Sequence, residues 1–99
     1  MNKDVTSCMG YQQITSLAAS TGLTVPTIDP NTGLSAVPTV ALIIVENQPV
    51  RYRDDGVAPT ASVGMLLPFG SVFFYDGDLK KIRFIQTIAG ATINVSYYK

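Results

Sequence analysis

The sequence predicts an all-β domain, a small β-sandwich or barrel of about six to seven antiparallel strands with an extended N-terminal arm. Three observations carry that prediction. Short runs rich in Val, Ile, Phe and Tyr recur at spacings of roughly 8 to 12 residues. Gly, Pro, Asn and Asp cluster between those runs, where turns need them. The last run, Ala91 to Tyr98, alternates apolar and polar side chains as a half-buried strand does. With 99 residues and 10.6 kDa there is material for one core, so residues 1–38, the N-terminal segment and arm, and residues 39–99, the β-rich part, are expected to form a single domain.

Taken in order, residues 11–19 fit both a helical stripe (Ile14, Leu17, Ala18) and one face of a strand (Ile14, Ser16, Ala18), with strand preferred. From Ser20 to Pro38 the chain holds Pro26, Pro30, Pro38, Gly22 and Gly33, which interrupt any continuous ladder and predict a long arm or loop. Its clearest turn is Asp29-Pro30-Asn31-Thr32-Gly33. Val40 to Val45 is an apolar, β-branched run of strand length, and Glu46-Asn47-Gln48 before Pro49 predicts a hairpin into Val50-Arg51-Tyr52-Arg53. There Val50 and Tyr52 share the inward face and Arg51 and Arg53 the outward one.

Asp54-Asp55-Gly56 ends that strand. Val63 to Leu67 is the next, stopped by Pro68-Phe69-Gly70, and Val72 to Tyr75 follows. After the turn Asp76-Gly77-Asp78, residues 79–88 place Ile82 and Phe84 on one face with Arg83 and Ile85 on the other. In the final strand Ile93, Val95 and Tyr97 point one way and Thr92, Asn94, Ser96 and Tyr98 the other, so Tyr97 is expected in the core and Tyr98 at a rim or interface. The predicted core is Leu42, Ile44, Tyr52, Val72, Phe74, Ile82, Phe84, Ile93 and Val95.

Composition narrows function more by exclusion than by identification. Seven basic and seven acidic residues leave no net charge, and no global field draws the chain to nucleic acid or an anionic membrane. The chain has no His and one Cys, which rules out a Cys/His zinc site, a His-based triad and an internal disulfide. Neither a GxGxxG nor a GxxxxGK phosphate loop occurs. No secretory leader is read in Met1 to Gly10, and the longest apolar run, Val40 to Val45, is too short to span a bilayer as a helix. The acidic turns at 54–56 and 76–78 could offer oxygen ligands to Ca²⁺ or a carboxylate pair, but turn formation accounts for them locally. The expectation is a protein that is not an enzyme and takes no cofactor.

Charged residues make up only 14% of the chain, against about 25% in an average soluble protein. Part of such an exterior is expected to be covered by a partner. The residues picked for that contact are Leu23, Val25, Ile28 and Leu34 on the arm, Tyr98 at the rim, and Arg51 and Arg53, which either pair locally with the acids of the adjoining turn, the simpler reading, or reach carboxylates of a neighbour.

One resemblance bears on the partner. Val50-Arg51-Tyr52-Arg53-Asp54-Asp55-Gly56, Ala58-Pro59-Thr60-Ala61-Ser62-Val63-Gly64-Met65, Gly77-Asp78-Leu79, Ile82-Arg83-Phe84-Ile85 and Asn94-Val95-Ser96-Tyr97-Tyr98 resemble a family of short structural proteins of tailed bacteriophages, over about residues 38–98. The resemblance implies a virion protein made in the bacterial cytoplasm that decorates or cements the head exterior. It would bind the major capsid protein or another virion protein; the sparse charge and the default symmetric association of small subunits add the expectation of a homo-oligomer, a dimer or trimer. The alternatives are a vertex, fibre-base or tail component, or a carbohydrate-binding module carried by Tyr52, Tyr98 and the polar turns.

Overall fold

The computed structural model describes residues 7–99. It is an all-β sandwich of two four-stranded antiparallel sheets. The strands are β1 (Cys8–Ile14), β2 (Thr21–Gly22), β3 (Val40–Glu46), β4 (Val50–Arg53), β5 (Met65–Leu67), β6 (Val72–Tyr75), β7 (Arg83–Gln86) and β8 (Thr92–Tyr98). The first sheet has the order β1-β8-β3-β6 and the second β2-β7-β4-β5. The chain alternates between sheets at every connection except β4 to β5.

The expected hairpin between β3 and β4 is therefore absent, because the two strands belong to different sheets. Asn47 takes a left-handed backbone (φ 73°), which Asn tolerates better than most residues, and the chain crosses from one layer to the other before Pro49. The crossing delivers Val45 and Val50, both fully buried, to opposite walls of one core.

Strand β8 is the central element of the first sheet and sets its facing. Ile93, Val95 and Tyr97 point inward as predicted. Through the β3–β8 register, Ile93 lies beside Val45, Val95 beside Ile43 and Tyr97 beside Ala41, so Ala41, Ile43 and Val45 face the core, while Val40 at the start of the strand is buried on the other face beside Tyr98. Strand β6 inherits this facing from β3: Phe73 pairs with Ile43 and Tyr75 with Ala41. The predicted core residues Leu42, Ile44, Val72 and Phe74 are thus on the outer face of the sheet, a shift of one residue. Both strands are apolar on each side, and their own sequence contains no alternation from which to choose a face.

In the second sheet the expectation holds. Ile82 and Phe84 are fully buried, Val50 is buried, and Tyr52 packs against the core with its ring centroid 5.0 Å from Phe73 and 6.1 Å from Phe84. Leu17, in the link between β1 and β2, is also fully buried, and its carbonyl accepts the Gln86 amide at 2.9 Å. Tyr97 donates its hydroxyl to Gln12 Oε1 at 2.8 Å, and burial pushes its phenol up to about 12.

Candidate functional site

The segment from Ser20 to Pro38 is folded against the sandwich. Its first residues form β2, with Thr21 opposite Phe84 and Gly22 opposite Arg83. Arg83 anchors the segment by donating from Nε to Ser20 Oγ (2.8 Å) and from Nη2 to the Ser20 carbonyl (2.9 Å). Gln12 clasps Thr24, accepting its amide at 3.1 Å and donating to its hydroxyl at 3.2 Å. With Thr24 held in this way, Leu23 and Val25 pack against this chain's own core. They are occupied within the fold, unlike the free, extended arm expected from the sequence.

Ile28 and Leu34 are presented differently. The loop that carries them closes through an antiparallel bridge between Ile28 and Ser35 and through the Asp29 amide, which donates to the Leu34 carbonyl at 2.9 Å. Gly33 and Thr32 donate back to the Asp29 carbonyl at 2.7 and 3.3 Å. The Asp29 side chain, 2% exposed, is the mount of the loop. Its Oδ1 accepts the Asn31 amide (2.9 Å) and the Asn31 side-chain amide (3.1 Å), and its Oδ2 pairs with Lys99 Nζ at 3.1 Å. Asn31 also donates to the Cys8 carbonyl at 3.2 Å, tying the loop to β1. From this mount Ile28 and Leu34 project with 51% and 69% of their surface exposed, and Val37 beside them is exposed as well.

The electrostatics of the loop match its shape. Asp29 is the one charged residue between positions 5 and 45, and it is the buried one. The Asn31 amide and the Lys99 ammonium hold its carboxyl below its ordinary value of 3.8. A carboxyl with a depressed value stabilises the folded loop fully above its ordinary range, and that contribution is lost as the pH falls through the depressed value. Acid titration followed by NMR is therefore expected to release the Asn31 amide from protection before the sheets lose theirs. In Asp29→Asn the same amide should show no acid-dependent release; if its release follows the wild-type curve, Asp29 is not the mount.

The two arginines chosen as partner contacts are engaged internally. Arg51 donates from Nε to the Ala61 carbonyl (3.2 Å) and from Nη1 to the Gly64 carbonyl (2.9 Å), shaping the 54–64 loop. Arg53 forms a two-bonded pair with Asp55 at 3.0 and 2.5 Å, and those bonds bring the Asp55 carboxyl down to about 2. Tyr98 is half-buried on the outer face of the first sheet, beside Val40. The loop tip and these three residues do not converge on one surface element.

The two acidic turns meet at the Tyr75 hydroxyl, which donates to Asp54 Oδ2 at 2.7 Å and is also influenced by Asp78. Among the described residues no group of three or more Cys, Asp or Glu side chains is placed to hold a metal ion. Next to these turns lies an open cleft of about 310 Å³ lined by Arg53, Asp54, Asp55, Val63, Gly64 and Met65. Its carboxylates are already bonded, Asp55 to Arg53 and Asp54 to Tyr75.

A scan against protein-family models, a search of the curated proteins and a search of the solved structures each return no match. The arrangement is a braced loop that holds apolar side chains out from the sandwich. Of the arm residues named from the sequence, Ile28 and Leu34 are exposed; the exposure of Val37 and the mounting role of Asp29 were not read from it. The signal was present: a charge standing alone across some forty positions is a natural candidate for a structural task.

Proposed function

We propose that this chain is a structural protein of a tailed-bacteriophage virion, one that decorates the head and cements neighbouring capsid subunits. The observation that carries the reading is the Asp29-mounted loop, which holds Ile28 and Leu34 out to solvent on a segment whose one charge, Asp29, is buried. An exposed apolar pair costs solubility, and a loop braced by buried hydrogen bonds has already lost the conformational freedom that docking would otherwise remove. The phage resemblance of residues 50–65, 77–85 and 94–98 supplies the class of partner. Repetition over a shell turns a contact of this modest size into firm attachment by avidity.

Quantitative mass spectrometry of purified particles of the encoding phage is expected to find the chain in a copy number comparable with that of the capsid protein. A dozen copies or fewer would place it at a vertex or in the tail, and absence would overturn the reading. Leu34→Asp is expected to weaken binding to capsid shells at least tenfold while changing folding stability by no more than about 0.5 kcal/mol, as exposed substitutions do. Shell binding as tight as wild type would remove the loop from the contact.

A further inference from the structure

We infer that the free edge of β6 is a self-association surface, on which two copies pair β6 with β6 antiparallel about a two-fold axis and join their first sheets into one of eight strands. β6 pairs with β3 on one side, and no described strand pairs with its other side. The preceding turn determines which backbone groups face that open side. Val45 donates to the Ser71 carbonyl at 3.1 Å and Gly70 donates to the Val45 carbonyl at 2.7 Å. Antiparallel ladders alternate, so Phe73 and Tyr75 bond toward β3 while Val72 and Phe74 direct both amide and carbonyl outward.

Natural edge strands are guarded by shortness, charge, proline or a bulge within the strand. β6 is short, at four residues, but has none of the other guards: Val72-Phe73-Phe74-Tyr75 lies in an uncharged stretch running from position 56 to 75, and the bulge at Gly70 precedes the strand. The outer face beside this edge is apolar too. Val72 is 63% exposed and Phe74 43%, and they pair with Ile44 and Leu42. Phe69, in the turn that leads into the strand, is 66% exposed. A standard interface is somewhat more than half apolar, and the strip of Val72, Phe74 and Phe69 beside the open edge has that character.

The occupant is a second copy because the strand is complementary to itself. With the axis through Phe73, the amide and carbonyl of Val72 meet those of the partner's Phe74, and the reverse, closing the open groups of both edges. The same register places Val72 beside the partner's Phe74 on the outer face and the two Phe73 rings opposite each other within. Asp76 falls across from the partner's Gly70, so the two carboxylates are kept at opposite ends. An isologous contact of this kind closes on itself and does not propagate.

The inference stands apart from the virion reading, because particle copy number tests that reading and solution mass tests this one. Sedimentation equilibrium of the full chain is expected to give twice 10.6 kDa. Val72→Lys and, separately, Phe74→Lys should each return the mass to that of one chain, with thermal unfolding still cooperative. Leu66→Lys, on the exposed edge of the other sheet, should leave the dimer intact. Amide exchange in the wild type adds a readout independent of any variant. Val72 and Phe74 should be protected at high concentration and exposed on dilution, whereas Phe73 and Tyr75 stay protected throughout. A single-chain or three-chain mass, a dimer broken by Leu66→Lys but not by Val72→Lys, or concentration-independent exchange at Val72 and Phe74 would overturn the assignment.

Discussion

Phe84→Ala is expected to lower the unfolding free energy by about 3–5 kcal/mol, the cost of deleting a fully enclosed aromatic ring and leaving a cavity. Phe84 is completely buried and stacks at a tilt against Tyr52. It belongs to β7, between β2 and β4, so its loss loosens the wall against which the Ser20–Pro38 segment is laid. A domain of this size has about 5–15 kcal/mol in total, so the variant should be unfolded in part at body temperature. Urea denaturation is the measurement: the midpoint should fall sharply with little change in slope. Phe84→Leu, which keeps most of the volume, should lose clearly less. A loss under about 1 kcal/mol for the alanine variant would mean the site collapses around the missing ring.

Gly64→Val carries the second large effect, expected at about 2–4 kcal/mol from backbone strain and crowding together. Gly64 has φ +145°, and a Cβ there would lie 3.1 Å from both the Tyr52 carbonyl and Arg51 Cβ and 3.2 Å from Pro59 Cβ. Relief requires the 54–64 loop to lift, which breaks the Arg51 bond to the Gly64 carbonyl. Limited proteolysis should then cut within 54–64 well before the rest of the chain. Gly70→Ala is the informative comparison. It also has a positive φ (+85°) but open space around it, so backbone strain alone applies, at about 1–2 kcal/mol. Equal losses at the two positions would show that crowding contributes nothing at Gly64.

These residues also show where the sequence was readable. β8 and β7 alternate clearly, and the inward set Ile82, Phe84, Ile93, Val95 and Tyr97 could be read directly. β3 and β6 could not, since Val40 to Val45 and Val72 to Tyr75 offer apolar side chains to both faces and only the pairing with β8 decides between them. The apolar face this left outside became the surface assigned to self-association. β2 was hidden because two residues make no periodic pattern, and Leu17 because a buried link residue has none. The turn at Asp29 was visible from its residue types. Its burial was not, since one partner is Lys99 at the opposite end of the sequence.

The layer-to-layer path of the chain has a kinetic consequence. Only β4 and β5 are neighbours both in sequence and within a sheet, so the molecule has little to gain from zipping adjacent strands. Refolding after a denaturant jump must wait for distant segments to find one another, which places it in the millisecond-to-second range of slow sandwich topologies. At a given stability the opening rate scales with the closing rate, because their ratio is the equilibrium constant. A chain laced in this way is slow to come apart once it has formed.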